Sequence, residues 1–250
     1  MAATRGRPAG RRRPAPRSSA RTAPMAASGT TPRVPPPRTL ADHLLLPLQF
    51  VFKTALLACL FAYFNCVRVL GRRHVPPRGP LVIVSNHENM VIDPVVLACV
   101  LGRLRVHFWA KSTLFTAGFA GFLLRALGAV PVYRRQDTKD GKAVSNEALY
   151  EASYDALLRG EVLVVFPEGT SYTAPKTQPL RKGIAWLVKG FAEYSGGVPL
   201  TVVPAGINYT RKDKWRSEVL VEFGAPLPAY AECVRGVTAD GATAAAAAAA

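Results

Sequence analysis

Apolar positions are unevenly spread along this chain, and their spacing changes character three times. Residues 1–38 carry almost no large apolar side chain. From residue 44 to residue 70 nearly everything is apolar, LLLPLQFVFKTALLACLFAYFNCVRVL. After the turn-forming run Pro76-Pro77-Arg78-Gly79-Pro80, short β-branched runs alternate with stretches of helical period. This alternation predicts strands at Leu81–Ser85, 105–110, 130–133, 161–166, 201–207 and Glu218–Phe223, and helices at 94–101, 114–127, 145–158 and 182–192. Strands that alternate with helices, and that are apolar along their whole length, belong to a sheet covered on both faces. The predicted class is therefore α/β, a mixed sheet flanked by helices, preceded by an apolar helical segment.

The patterning divides the chain into an N-terminal extension (1–38), an apolar membrane-associating helix (39–73), a folded domain (74–228) and an Ala-rich tail (229–250). The apolar segment is interrupted by Pro47, Lys53, Asn65 and Arg68, and its longest uncharged run, 54–67, has 14 residues. That is short of the roughly 20 residues a bilayer crossing needs, so a membrane-inserted or interfacial helix fits better than a span. The alternative is a buried helix that covers the domain.

Charge sharpens this picture. The chain has 32 Lys and Arg against 16 Asp and Glu. Nine Arg and no acid lie in residues 1–38, which matches a disordered basic extension or an organelle transit peptide. Elsewhere the basic residues are scattered among apolar segments, without the interleaved aromatics that stack bases. Anionic membrane lipids and phosphate-bearing ligands are thus the expected partners, and nucleic acid is not. Cys59, Cys66, Cys99 and Cys233 form no metal-type pairs and read as reduced, buried residues.

Chemistry concentrates in two stretches. Val82 to Pro94, VIVSNHENMVIDP, is a strand that ends in Asn86-His87, followed by a turn and a helix start at Asp93-Pro94. An imidazole leaving a strand end can act as a general base if a carboxylate holds its other nitrogen. Asp93 is the candidate carboxylate, although an Asp before a Pro-initiated helix is also ordinary N-cap material. Six residues rotate about 600° on a plain helix, so only a loop could bring the two side chains together. The second stretch, Phe166-Pro167-Glu168-Gly169-Thr170-Ser171, follows an apolar strand and should emerge at the same sheet edge. Gly169 permits close backbone approach, and Glu168 can accept from a hydroxyl. Arg134, just past a predicted strand, suits a phosphate clamp, with Lys111 and Lys182 as weaker candidates. No Gly-rich phosphate loop, nucleophile elbow or His pair for a metal appears in the sequence.

Taken in order, Asn86-His87 with a following Asp, Gly128-Ala-Val-Pro-Val-Tyr-Arg134, Phe166-Pro-Glu-Gly-Thr170 and Val203-Pro204 resemble the glycerophospholipid acyltransferase family over roughly residues 75 to 225. Two positions differ from the commoner pattern. Five residues rather than four separate His87 from Asp93, and Ser171 stands where an Arg usually follows the Glu-Gly-Thr. The longer spacing, with Gly206-Ile-Asn-Tyr209 and Val221-Glu-Phe-Gly224, resembles the fungal-type branch that acylates glycerol 3-phosphate or dihydroxyacetone phosphate. The resemblance implies the glycerolipid acyltransferase fold and transfer of an acyl group from acyl-CoA, a co-substrate, to a glycerol-phosphate acceptor, with no cofactor. It makes His87 and Asp93 catalytic, Arg134 the phosphate ligand, and Glu168, Gly169 and Thr170 the acceptor site. Lysophosphatidate is the alternative acceptor, and a non-catalytic membrane lipid-binding relative the alternative function. The expected location is membrane-associated, at the endoplasmic reticulum with a cytosol-facing site or in an organelle.

Overall fold

The structure, a computed structural model, describes residues 33–35, 37–116, 118, 121, 124, 125, 128–133, 146–172 and 178–228. The extension up to residue 32, the Ala-rich tail from residue 229, Arg134, Cys233 and half of the expected 114–127 helix lie outside these residues. In chain order the elements are α1 (Leu40–Tyr63), β1 (Cys66–Leu70), a 3-10 turn at Arg72–His74, β2 (Leu81–Ser85), α2 (Ile92–Val100), β3 (Val106–Lys111), a second 3-10 turn at Ser112–Phe115, β4 (Ala129–Val132), α3 (Glu147–Leu158), β5 (Val162–Val165), α4 (Gly183–Ser195), β6 (Thr201–Tyr209) and β7 (Glu218–Phe223).

The strands form one sheet in the order β1-β7-β6-β2-β5-β3-β4. All neighbours are parallel except β6 and β7, which are joined by a hairpin. The sheet is therefore mixed and flanked by helices, as the alternating pattern requires. Successive side chains point to opposite faces, so each central strand feeds two cores. Phe108, Val164, Ile83 and Val203 stand side by side in register and pack under α1 and α2. Val82, Leu163 and Val202 point the other way, under α3 and α4. Ile83, Val164, Val203, Val82 and Leu163 have no solvent exposure, and each stabilises the domain by about 1.5–3 kcal/mol.

The apolar run 44–70 is two elements rather than one helix. It breaks at Phe64-Asn65, and Cys66–Leu70 enters the sheet as an edge strand paired with β7. Nor is α1 a buried core helix. Gln49, Lys53, Leu56 and Leu60 form the stripe turned toward the domain, and Lys53 Nζ donates to the Arg103 carbonyl. Leu44, Leu48, Phe50, Val51 and Phe61 face outward, more than half exposed. Residues Leu46–Tyr63 are long and apolar enough to cross a membrane by length and composition. The same geometry corrects the reading of the cysteines, since Cys59 is exposed on α1 and Cys66 half-buried on the edge strand; only Cys99 is buried among the described three.

Candidate active site

Parallel strands carry their carboxyl ends to one edge, and the site is built there. The β2–β6 ladder runs from Leu81↔Thr201 to Ser85↔Ala205. Beyond it the side chain of Asn86 continues the pairing. Its amide Nδ2 donates to the Ile207 carbonyl and its Oδ1 accepts from the Ile207 N–H, both at 2.8 Å. Two such bonds contribute about 1 kcal/mol each and fix where the chain leaves the sheet.

His87 is the next residue. Its ring stacks on Phe166, at the end of neighbouring β5, with centroids 4.0 Å apart and 15° between planes. Its Nδ1 lies 2.9 Å from Asp93 Oδ2. A carboxylate only accepts, so Nδ1 carries the proton in this contact and Nε2 is left with a lone pair. The His87 side chain is 11% exposed, whereas Asp93 has no exposure.

Asp93 is not the N-cap of α2. It lies within the first turn, and the capping is done by Asn89, whose Oδ1 accepts from the N–H groups of Val91 and Ile92 at 3.1 Å. The physical reason is the five-residue loop, which starts the helix at Ile92 and leaves the Asp93 carboxylate free for other donors. Besides His87, it accepts from the Asn89 N–H at 2.8 Å and from the Tyr209 hydroxyl at 2.5 Å. Burial and then the Asp93 carboxylate push the Tyr209 phenol far above its usual range, so it remains a donor. A buried carboxylate held by three donors, with no guanidinium or ammonium on it among the described residues, is well placed to stabilise a positive charge forming on His87.

The Phe166-Pro167-Glu168-Gly169-Thr170 turn closes against this pair. The Gly169 N–H donates to the Phe166 carbonyl at 3.0 Å, and the Tyr172 N–H donates to the His87 carbonyl at 3.0 Å. Gly169 has φ +74°, a left-handed backbone that favours glycine, and the Arg181 side chain packs over the space a Cβ would take. Glu168 is buried. Burial pushes its carboxyl above the usual range against the pull of the His87 backbone N–H and ring, and the negative charges of Glu88 and Asp93 add to the rise. Thr170 is half-buried in the same turn.

His87, Asp93 and Glu168 are thus brought together from three elements. Lys111 closes β3, two strand spacings or about 10 Å from β2, and Lys182 stands exposed just before α4. Phe166, Tyr209, Asn86 and Asn89 are site residues whose roles spacing alone did not reveal. Tyr209 had one signal, its place in the Gly206-Ile-Asn-Tyr209 run.

An imidazole oriented by a buried carboxylate at the carboxyl edge of an α/β sheet can take up a proton as a general base. The profile of the Acyltransferase family matches residues 66–208, and the chain belongs to that family, among glycerophospholipid acyltransferases. It is 24% identical to an uncharacterized acyltransferase of Schizosaccharomyces pombe, over 69% of this chain and 38% of that protein. It is 32% identical to glycerol-3-phosphate O-acyltransferase 1 of Saccharomyces cerevisiae, over 36% of this chain and 12% of the relative. Against human 1-acyl-sn-glycerol-3-phosphate acyltransferase alpha the identity is 33%, over 53% of this chain and 44% of the relative. The chain therefore spans less than half the length of each of these relatives.

Proposed function

We propose that this chain moves a fatty acyl group from acyl-CoA to a hydroxyl of glycerol 3-phosphate or dihydroxyacetone phosphate. The observation that carries the reading is the His87 Nδ1 to Asp93 Oδ2 hydrogen bond of 2.9 Å. In the proposed reaction Nε2 of His87 takes the hydroxyl proton as that oxygen attacks the thioester carbonyl. Asp93 stabilises the resulting imidazolium, itself held by Tyr209 and the Asn89 N–H. Collapse of the tetrahedral intermediate breaks the C–S bond, and the CoA thiolate leaves with the proton from His87. Glu168 and Thr170 are assigned to the glycerol moiety, and Arg134, with Lys111 and Lys182 as further cations, to the acceptor phosphate. No cofactor enters this scheme.

The His–Asp spacing and the similarity to a yeast glycerol-3-phosphate O-acyltransferase support the unacylated acceptor. Similarity to the human 1-acyl-sn-glycerol-3-phosphate acyltransferase keeps lysophosphatidate as the second acceptor. The short His87–Asp93 contact favours an enzyme over a lipid-binding relative that has lost the pair. We assign the chain to a membrane, with α1 lying in the interfacial plane, because its inward stripe is held on α2 while its apolar side faces out. The endoplasmic reticulum with a cytosol-facing site is the proposed location. The test is to supply purified protein in detergent with labelled acyl-CoA and each acceptor in turn. Product from glycerol 3-phosphate or dihydroxyacetone phosphate is expected, and turnover with lysophosphatidate alone would reassign the acceptor.

A further inference from the structure

The β6–β7 hairpin has features that the proposed reaction leaves unused. Its tip, residues 210–217, reads TRKDKWRS, with four basic residues against Asp213. Its base is closed by the Thr210 N–H donating to the Glu218 carbonyl at 3.0 Å and the Glu218 N–H donating to Thr210 Oγ1 at 2.9 Å. The tip is fastened to the C-terminal end of α1. Trp215 Nε1 donates to the Ala62 carbonyl at 2.9 Å and the Arg216 N–H to the Tyr63 carbonyl at 2.8 Å, so the hairpin satisfies carbonyls that the helix end would leave open. Despite that bond, Trp215 is 70% exposed, and Phe61, the residue before the Ala62 that it bonds, is 60% exposed.

Between the tip and the start of β1 lies an open cleft of about 600 Å³, bordered by Asn65, Arg211, Lys214, Trp215 and Arg216, with Glu218 as its acidic member. Ser217 also lines it. That residue is only 8% exposed, and its Oγ has no hydrogen-bond partner among the described residues. Ser217 thus forms part of the wall of a cleft rimmed by cations. Phosphate oxygens would pair with the Arg211 and Arg216 guanidinium groups and the Lys214 ammonium that line it. An indole at the edge of an apolar helix is also the usual composition of a membrane interface.

We propose that this cleft binds the phosphate headgroup of an anionic phospholipid within a bilayer, with the lipid chains lying along the outward face of α1. The inference rests on the interfacial reading of α1 and adds to it a headgroup site. The site communicates with the candidate active site, because Lys212 Nζ donates to the Glu88 carbonyl at 2.9 Å, inside the His87–Asp93 loop. A lipid held in the cleft therefore sets the catalytic edge at the membrane surface.

The test uses the full chain with vesicles of phosphatidylcholine alone, or of phosphatidylcholine with phosphatidylserine, each also prepared with brominated acyl chains. Tryptophan quenching should be stronger with phosphatidylserine present. Trp215→Phe should remove that quenching and Trp186→Phe should spare it, because Trp186 lies on α4, on the opposite side of the sheet. Since each basic residue near an anionic surface contributes about 1 kcal/mol, Arg211→Ala with Lys214→Ala should lower the ratio of partitioning between the two vesicle types on the order of 30-fold. An unchanged ratio in that double variant would overturn the proposal, as would full quenching in Trp215→Phe. So would loss of the phosphatidylserine effect when excess inorganic phosphate is added at constant ionic strength, which would make the cleft a site for soluble anions. Absence of binding to phosphatidylcholine alone would overturn the interfacial reading of α1, and the phosphatidylserine increment would then decide the cleft by itself.

Discussion

The sheet carries two buried carboxylates, each bonded to a histidine, at its opposite edges. At the carboxyl edge Asp93 meets His87 at 2.9 Å, and at the amino edge Glu161 meets His107 at 2.7 Å. What surrounds them differs. Glu161 is ringed by Arg38 and Arg159 at 3.4 Å and Arg105 at 3.8 Å. His107 has both nitrogens engaged, Nε2 by the carboxylate and Nδ1 by the Gly128 carbonyl at 3.0 Å. Among the described residues Asp93 has only an amide, a phenol and the imidazole, and His87 keeps one nitrogen uncommitted in these bonds. A histidine bonded on both sides can hold a fold together, but it cannot accept a proton from a substrate. The difference between structure and chemistry lies in the second nitrogen.

The comparison can be broken at either edge, and the largest expected effect is on turnover. Asp93→Asn replaces an acceptor with a group that no longer stabilises imidazolium or enforces the Nδ1–H tautomer, and kcat should fall by about 10²–10⁴-fold with little change in KM. A variant with near-normal kcat would reduce Asp93 to a packing residue.

At the other edge the effect should appear in stability. Glu161→Ala leaves three guanidinium groups and His107 without their buried counter-charge, and chemical denaturation should report a loss of about 3–5 kcal/mol. Turnover per folded molecule should be unchanged. Burial raises the Glu161 carboxyl, but His107 and then Arg159 more than offset this, leaving its pKa at about 2. A depressed carboxylate contributes stability above its unfolded pKa that is lost as pH falls through the folded one. The wild type should therefore lose this contribution between about pH 4.5 and pH 2, and a Glu161→Gln variant should show a flatter stability profile in that window. Equal profiles would remove the ion cluster from the account.

Smaller effects sharpen the catalytic edge. Tyr209→Phe deletes one donor to a carboxylate, a bond worth about 1.5–3 kcal/mol, so kcat should drop by roughly 10–100-fold while KM for acyl-CoA holds. An equal rise in both Michaelis constants would instead point to a displaced loop. The smallest change is Glu168→Gln. A carboxyl whose pKa burial raises destabilises the fold at pH above that value, so the amide should raise the melting midpoint at neutral pH. The gain should shrink as pH falls through the folded pKa, while affinity for the acceptor declines.

Much of the frame was readable in the chain. β2 and β7 fall on Leu81–Ser85 and Glu218–Phe223 because each is bounded by turn residues and carries a strand-length apolar pattern. β1 was not readable, since an edge strand that follows an apolar helix continues the same composition without a break in period. His87 and Asp93 were visible as residue types, but their contact depends on a loop conformation. Tyr209 is 116 residues from Asp93 in sequence, and only the β6–β2 pairing brings it near. Most of the Glu161 cluster was invisible for the same reason: Arg159 is its near neighbour in sequence, but His107 and Arg105 reach it only when β3 and β5 lie side by side, and Arg38 comes from the segment before α1.

The most direct test compares His87→Ala with His107→Ala, measuring acyl transfer from labelled acyl-CoA to glycerol 3-phosphate per folded molecule alongside the melting midpoint. His87→Ala should lose on the order of 10²–10⁴-fold in rate and keep its midpoint, whereas His107→Ala should keep its rate and melt lower. Wild-type turnover by His87→Ala, or an equal loss of rate in both variants, would contradict the assignment of His87 as the base.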